Sequence, residues 1–308
     1  MIAETKFSKI VALWKEDKKQ YVKRSTFAAY TLLIENHILP TFGEMALVEE
    51  QDVQTFVFRK LNEGLSHKTI KDILIVLKMI LRFGAKNQMT EYRQIDIKFP
   101  TERDKHSIDI LNRSHQKQIM EYIRLHFTFK NLGIYICLSA GMRIGEICAL
   151  TWDDLDVENG IIHVRKTIQR IYVIEEHRKY TEVILDTPKT KNSIREIPMT
   201  KNLLKMIRPI KKIVNGNFYV LTNEPKPTEP RTYRNYYKQF MQSLGLPLIK
   251  FHGLRHSFAT RCIESKCDYK TVSVLLGHSN ISTTLNLYVH PNLEQKKRCM
   301  EQMSRLLR

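Results

Sequence analysis

Apolar residues recur at helical spacing through the first third of the chain. They fall three or four positions apart over residues 5–20, which predicts an amphipathic helix with these inward residues: Phe7, Ile10, Val11 and Trp14. The same spacing predicts a second helix, which Ser25 can cap and which ends at Pro40 and Gly43, and two further helices that start near Glu49 and Ser66. Four helices joined by short loops predict a small helical bundle.

A polar segment follows this bundle. Residues 98–106 contain Pro100 and are rich in charged side chains, a composition typical of a linker. We therefore expect one domain over residues 1–97 and a second over residues 107–308. The alternative is an ordinary surface loop within one domain.

The second part mixes helical and strand spacing. Helices are predicted from Ser114 to about Leu125, and over residues 129–140, 200–214, 231–244 and 294–308. β-branched residues at alternate positions predict strands over residues 160–167, 170–175, 182–186 and 194–198. A short buried strand is also predicted over residues 218–221. The fold class that follows is mainly α with a small antiparallel β-sheet.

Charge narrows the choice of partner. The chain has 50 basic and 32 acidic residues, a net charge of +18, and residues 105–308 hold 33 of the basic and 18 of the acidic ones. A pI near 9.6 predicts a polyanionic partner, either nucleic acid or an anionic membrane. No apolar run approaches the roughly 20 residues that span a bilayer, and charged residues interrupt the first segment where a signal peptide would lie. We therefore expect no membrane partner.

The five cysteines are odd in number and irregular in spacing. They form neither a CxxC pair nor a pattern with histidine that would hold zinc. We interpret them as free thiols in a cytoplasmic protein, and we expect no metal and no cofactor.

The chemistry is concentrated in the last fifth of the chain. His252 and Arg255 are three positions apart in a predicted helix, so their side chains share one face. An arginine fork suits a phosphate group, and histidine can bind phosphate oxygen or move a proton. Tyr288 follows a short predicted helix, and a phenol can attack phosphorus to form a phosphotyrosine.

The sequence around these residues resembles that of the tyrosine recombinases, the phage integrase family. The matching segments are His252-Gly253-Leu254-Arg255-His256, Leu276-Gly277-His278 and Tyr288. The family also has an earlier arginine in a Gly-x-Arg-x-x-Glu context, which Arg143 fills, and a hairpin lysine, which Lys189 fills within residues 187–198. All six positions occur in the expected order. The resemblance is close over residues 107–308 and general over the N-terminal third.

The resemblance implies a role for each residue. Tyr288 would be the nucleophile, Lys189 the general acid, and Arg143 and Arg255 the cations that hold the phosphate. His252 would accept or relay the proton of the tyrosine, His278 would bind a phosphate oxygen, and Glu146 would orient Arg143. The implied fold is a SAM-like helical core-binding domain followed by an α+β catalytic domain. Taken singly, each residue has an ordinary structural explanation, and the argument depends on their joint occurrence.

The same resemblance implies double-stranded DNA as the partner, with a homotetramer on synapsed DNA and a C-terminal helix that docks on a neighbouring protomer. A DNA-bending accessory protein could take part. Candidate DNA contacts are Lys68, Lys71, Lys78, Lys191 and Arg195. The alternative for these cations is a solvated face.

The kind of recombinase is less constrained. The bundle starts almost at Met1, so we expect no arm-binding domain before it, a two-domain plan that also fits Xer-type resolvases and invertases. The hairpin wording Lys-Thr-x-x-Ser-x-Arg-x-Ile-Pro is more similar to mobile-element integrases, and we favour the integrase of a phage or transposon. Two rival functions are a type IB topoisomerase, which uses similar residues to relax supercoils, and a non-catalytic DNA-binding protein on the same fold.

Overall fold

The structure is a computed structural model, and it describes residues 5–91, 94–101, 109–175, 178–188, 191–288 and 293–306. Contacts within the chain define two compact units. The first unit comprises residues 1–106 together with 170–182, and the second comprises residues 107–169 and 183–308. No helix among the described residues is both long enough and apolar enough to cross a bilayer.

The first unit is the predicted helical bundle. Its helices are α1 (Phe7–Lys19), α2 (Arg24–Leu33), α3 (Leu39–Phe42), α4 (Glu50–Asn62) and α5 (His67–Lys86). The apolar stripe of α1 is buried, as the spacing predicts. The Oγ atom of Ser66 accepts a hydrogen bond from the backbone N–H of Thr69 at 3.2 Å, which is why α5 begins there.

The cap predicted for α2 is wrong. Ser25 does not cap the helix, since α2 starts at Arg24 and the Ser25 side chain is buried. The helical path continues through a π-helical turn over Ile34–Ile38 into α3, whose C-cap is Gly43. Pro40 is the second residue of α3, directly after that turn.

The second unit is mainly helical. Its helices are α6 (Arg113–Leu125), α7 (Phe129–Ala140), α8 (Ile144–Ala149), α9 (Lys201–Lys211), α10 (Pro230–Ser243), α11 (Phe251–Glu264), α12 (Tyr269–Leu276), α13 (Ile281–Tyr288) and α14 (Leu293–Leu306). The cap predicted at Ser114 is wrong, because the Asn112 side chain accepts the hydrogen bond from His115 N–H at 2.7 Å. The side-chain oxygen of Asn112 satisfies an N–H group of the first turn, so the cap lies two residues before Ser114.

The described strands form two small antiparallel sheets. They are β1 (Leu155–Asp156), β2 (Ile161–Val164), β3 (Thr167–Glu175), β4 (Arg178–Asp186) and β5 (Arg195–Pro198). One sheet has the order β1-β2-β5 with Ile162 opposite Ile197, and the other pairs β3 with β4. The predicted fold class, mainly α with antiparallel β, is confirmed. The strand predicted over residues 218–221 is wrong, since Tyr219 makes only isolated bridges to Thr151 and Glu224.

Helix α7 is a buried helix that leads to the candidate site. Its residues from Asn131 to Ala140 are all buried, and it ends at Gly141 in a left-handed conformation with φ of 63°. A Cβ atom at Gly141 would overlap the ring of Phe258 on α11, so the chain can turn closely there only with glycine. This turn delivers Arg143 to the start of α8.

Candidate active site

Arg143 is the residue directly before α8, and Glu146 holds it in place. One carboxylate oxygen of Glu146 accepts a hydrogen bond from the backbone N–H of Arg143 at 2.8 Å, and the other accepts from Arg143 Nη1 at 2.9 Å. The Glu146 side chain is almost fully buried, while 36% of the Arg143 side chain is exposed. The buried Glu146 therefore holds one side of the guanidinium, and the other side is exposed to solvent.

Glu146 is ionised in spite of its burial. Burial alone would raise the pKa of its carboxyl group, but the hydrogen bonds and charges of Arg195 and Arg143 hold that pKa below its ordinary value. A buried carboxylate needs such partners, and here two cations supply them.

Arg255 lies on α11 and is only 1% exposed. Its Nη1 donates to the carbonyl oxygen of Gly141 at 2.8 Å, and its Nη2 donates to that of Leu276 at 2.6 Å. The guanidinium thus connects the end of α7 to the end of α12.

The end of α12 brings the two predicted arginines together. Arg143 Nη2 donates to the carbonyl oxygen of Gly277 at 3.1 Å, next along the chain from the Leu276 acceptor of Arg255. Helix ends leave such carbonyls without an intrahelical donor, and they carry partial negative charge. Gly277 takes a left-handed conformation with φ of 64°, which ends α12 and places His278 beside both cations.

His278 is a neutral imidazole near pH 7. Burial, followed by the charges of Arg255 and Arg143, lowers its pKa to about 4. Its Nδ1 lies 2.8 Å from the hydroxyl oxygen of Thr284, which is fully buried on α13. The ring is therefore fixed on one side and can offer its other nitrogen to a ligand.

His252, one turn before Arg255 on α11, is also neutral. Burial lowers its pKa to about 4, with smaller effects from His256, Arg255 and Arg143. The rings of His252 and His256 are in edge contact, with centroids 4.6 Å apart. A neutral imidazole among cations can accept a proton.

Arg143, Glu146 and His278 line one cavity of about 450 Å³ in the second unit. The sequence motifs gave no role to its other lining residues, which are polar or small: Thr167, Gln169, Pro188, Ser193, Gly277, Ser279 and Thr283. No single one of these has a distinctive residue type, so only the fold reveals them. Within the described part of the chain, no three His, Cys, Asp or Glu residues are grouped to hold a metal ion.

The expectation that Arg195 contacts DNA is not met in this structure. Its side chain is 4% exposed and forms a two-pronged ion pair with Glu146, at 3.0 and 2.9 Å. The signal that we missed is strand alternation, because position 195 lies on the same face of β5 as the buried Ile197.

Several predicted site residues are described only in part. Lys189 lies outside the described residues, and Lys191 and Tyr288 belong to described elements whose side chains at these positions are not described. Tyr288 is the last residue of α13. On α5, Lys68 and Lys71 are exposed and Lys78 is half-buried. The Nζ of Lys71 lies 5.1 Å from the ring centroid of Phe99.

Comparisons with known proteins find relatives that match most of the chain. The phage integrase family matches residues 109–295, and the N-terminal SAM-like domain of phage integrases matches residues 6–60. A XerC-like tyrosine recombinase of Caldanaerobacter subterraneus subsp. tengcongensis is 31% identical over 92% of this chain and 78% of its own. The ICEBs1 integrase of Bacillus subtilis is 24% identical over 89% of this chain and 76% of its own.

Solved structures extend the likeness of the fold. The Tn1549 transposon integrase in complex with transposon right end DNA superposes with a TM-score of 0.79 at 22% identity, over 97% of this chain and all of that one. A lambda integrase tetramer bound to a Holliday junction gives a TM-score of 0.62 at 16% identity, over 94% of this chain and 80% of that one. At these identities the likeness concerns the fold alone.

Proposed function

This chain belongs to the phage integrase family and is a tyrosine-type site-specific recombinase, and we propose that it cuts and rejoins double-stranded DNA through Tyr288. The observation that carries the proposal is the meeting of Arg143 and Arg255 on neighbouring carbonyls beside His278. Two cations and a neutral imidazole next to an open cavity suit a phosphodiester, whose charge they can balance.

The proposed step is a transfer of phosphorus from the DNA backbone to the tyrosine. The Tyr288 oxygen attacks phosphorus, the bond from phosphorus to the 5′-oxygen breaks, and a 3′-phosphotyrosyl bond forms with a free 5′-hydroxyl end. Arg143 and Arg255 stabilise the charge that builds on the non-bridging oxygens. Because the new ester keeps the bond energy, a second 5′-hydroxyl can reverse the step without ATP.

Two residues move protons in this scheme. His252 takes the phenol proton, and its lowered pKa keeps it unprotonated and ready near pH 7. Lys189 gives a proton to the leaving 5′-oxygen, which an arginine could not do because it does not release its proton in this range. His278 donates a hydrogen bond to a phosphate oxygen.

The assembly that we propose is a tetramer on two synapsed duplexes, since exchange of two strands between two duplexes needs four tyrosines. The fold shared with the lambda integrase, whose tetramer is bound to a Holliday junction, supports this arrangement. Helix α14 would dock on the neighbouring protomer, and a DNA-bending protein could assist.

As the biological task we propose integration or excision of a phage or transposon. The ICEBs1 integrase and the transposase of transposon Tn916 from Enterococcus faecalis, 24% identical over 84% of this chain, support that choice. A second candidate, resolution by an Xer-type enzyme, is favoured by the 31% identity to the XerC-like protein. DNA flanking the gene separates the two, because attachment-like repeats accompany only a mobile element.

A nicked suicide substrate tests the chemistry. Wild-type protein should form a covalent adduct with the 3′ side of the cut strand, whereas Tyr288→Phe should bind the DNA and form none. Tyr269→Phe, an exposed tyrosine at the start of α12, is the matched control and should form the adduct normally. An adduct with Tyr288→Phe would show that another residue is the nucleophile.

A further inference from the structure

Three consecutive carbonyls at the end of α12 each accept a hydrogen bond from a different arginine. Arg195 Nε donates to Leu275 at 2.7 Å, beside the bonds from Arg255 to Leu276 and from Arg143 to Gly277. The donors come from β5, α11 and the start of α8. One helix end therefore fixes the positions of three guanidiniums.

Arg195 differs from Arg143, whose side chain is 36% exposed, because its bonds are directed inward. It donates four hydrogen bonds, two to the Glu146 carboxylate and one each to the carbonyl oxygens of Leu275 and Ser193. Its side chain is 4% exposed, and these described bonds all end on acceptors within the protein. Its Cδ also lies 3.1 Å from where a Cβ of Gly277 would be, so it packs directly against the turn that carries His278.

Glu146 is shared between Arg195 and Arg143. Each of its two oxygens accepts one hydrogen bond from Arg195 and one from Arg143, at 2.8 to 3.0 Å. Two guanidiniums and one carboxylate leave one net positive charge. Without Arg195, Glu146 would face Arg143 alone, and a neutral pair attracts a phosphate far less at this low dielectric.

We propose that Arg195 is a positioning residue for DNA cleavage, which orients the end of α12 and balances the charge of Glu146 so that Arg143 keeps its own charge for the phosphate. This inference rests on the proposed function. It predicts a large defect in the chemical step with little change in DNA affinity, because Arg195 acts through Arg143 on one phosphate among the many that contribute to binding.

Single-turnover cleavage of the suicide substrate measures the rate of the chemical step, and a separate binding measurement gives the DNA affinity. We expect Arg195→Gln to bind DNA within about twofold of wild type and to form the adduct on the order of 10²-fold more slowly, as misplaced catalytic groups do. Arg113→Gln removes an arginine that is exposed and paired with Glu264, and it should leave both quantities unchanged. A wild-type cleavage rate for folded Arg195→Gln would overturn the inference.

A second substitution separates charge balance from simple support of the fold. If Arg195 acts by cancelling the charge of Glu146, removal of that charge should rescue the variant. We expect Arg195→Gln with Glu146→Gln to cleave roughly tenfold faster than Arg195→Gln alone, a coupling that neighbouring charges can produce. A double variant as slow as, or slower than, the single one would contradict charge balance and leave Arg195 a purely structural residue.

Circular dichroism shows which variants fold. If Arg195→Gln does not, Arg195→Lys keeps the charge but loses the planar fork, and it should bind DNA normally and cleave on the order of tenfold more slowly. A wild-type rate for Arg195→Lys would then overturn the inference. Failure of the proposed function is distinguishable, because wild-type protein itself would form no adduct at Tyr288 in the same assay.

Discussion

Thr284 is a neighbour of His278 that the sequence motifs do not mention, and its hydroxyl oxygen lies 2.8 Å from Nδ1 of His278. The hydrogen bond that we propose from His278 to a phosphate requires the proton on Nε2, and the Thr284 hydroxyl then donates to Nδ1. That form can donate to a phosphate oxygen. We therefore expect Thr284 to orient the His278 ring and to stabilise that tautomer.

Replacement of Thr284 by valine tests this role. Thr284→Val keeps the shape but removes the hydroxyl, so we expect cleavage of the suicide substrate to slow by about 10- to 100-fold, as loss of an orienting partner does elsewhere. Thr284→Ser retains the hydroxyl and is the control, which should stay near the wild-type rate. Equal rates for valine and serine would remove Thr284 from the site.

The imidazoles of His252 and His278, which are partly shielded from solvent and lie beside the arginines, also make stability depend on pH. In the folded chain the pKa values of His252 and His278 are lowered to about 4, mainly by burial, whereas in the unfolded chain they return to near 6.5. Between these values the unfolded state binds more protons, so acid favours unfolding. Their contribution is complete above about pH 6.5 and is lost as the pH falls toward about 4.

Urea unfolding at about pH 7 and about pH 5 should therefore show a lower free energy of unfolding at the acid pH. His278→Asn should show a smaller loss between the two pH values, because one of the responsible groups is gone. His115→Asn on α6 is the control and should lose as much as wild type. An equal loss for His278→Asn would mean that His278 is not buried in its neutral form.

At the scale of elements, two constraints require glycine at position 277, where α12 ends: the left-handed backbone conformation and the close packing around it. Gly277 and Gly245 share a φ of 64°, but a Cβ at Gly277 would lie 2.9 Å from the carbonyl oxygen of Asn192, whereas one at Gly245 would meet nothing within 4 Å. The difference between them isolates close packing from backbone strain.

Gly245→Ala should lower the free energy of unfolding by about 1–2 kcal/mol, the usual cost of this conformation with a side chain. Gly277→Ala should cost roughly 1–3 kcal/mol more through overpacking and should also slow cleavage, because His278 and the acceptor of Arg143 move with it. Urea melts and the suicide substrate measure both effects. Equal losses for the two variants would contradict the tight packing at Gly277.

Local patterns predicted most elements and failed at identifiable places. Helical spacing predicted α1, α5 and α7 within a few residues. The caps predicted at Ser25 and Ser114 were wrong, because the backbone geometry of the first turn decides which nearby residue caps a helix, and the sequence does not show that geometry. The motifs named Arg143, Arg255 and His278. They could not name the acceptors, because backbone carbonyls are common to every residue type.

At the scale of the whole molecule, charge should govern the encounter with DNA. The net charge is +18, and DNA binding that neutralises phosphates releases counterions, so affinity should fall steeply with salt.

The predicted linker is marked in the local sequence by Pro100 and its charged neighbours. The grouping of residues 170–182 with the first unit is not marked locally, because it depends on contacts between distant parts of the chain.

Lys68 on α5 provides a test of where the phosphates lie. We expect Lys68→Gln to weaken DNA binding and to reduce the slope of log affinity against log salt concentration by about 1. Lys6→Gln is the control, since the charge of Lys6 is already paired with Glu44 at 2.6 Å, and it should leave the slope unchanged. An unchanged slope for Lys68→Gln would assign this residue to a solvated face.

The three acceptors at the end of α12 are main-chain oxygens, and this has a consequence for mutagenesis. An exchange of Leu275 for another apolar residue leaves its oxygen in place, so saturation mutagenesis would report tolerance at a position that holds an arginine. The intolerant positions would be the donors and the glycine that shapes the turn. A survey of side chains alone would thus overlook half of each of these interactions.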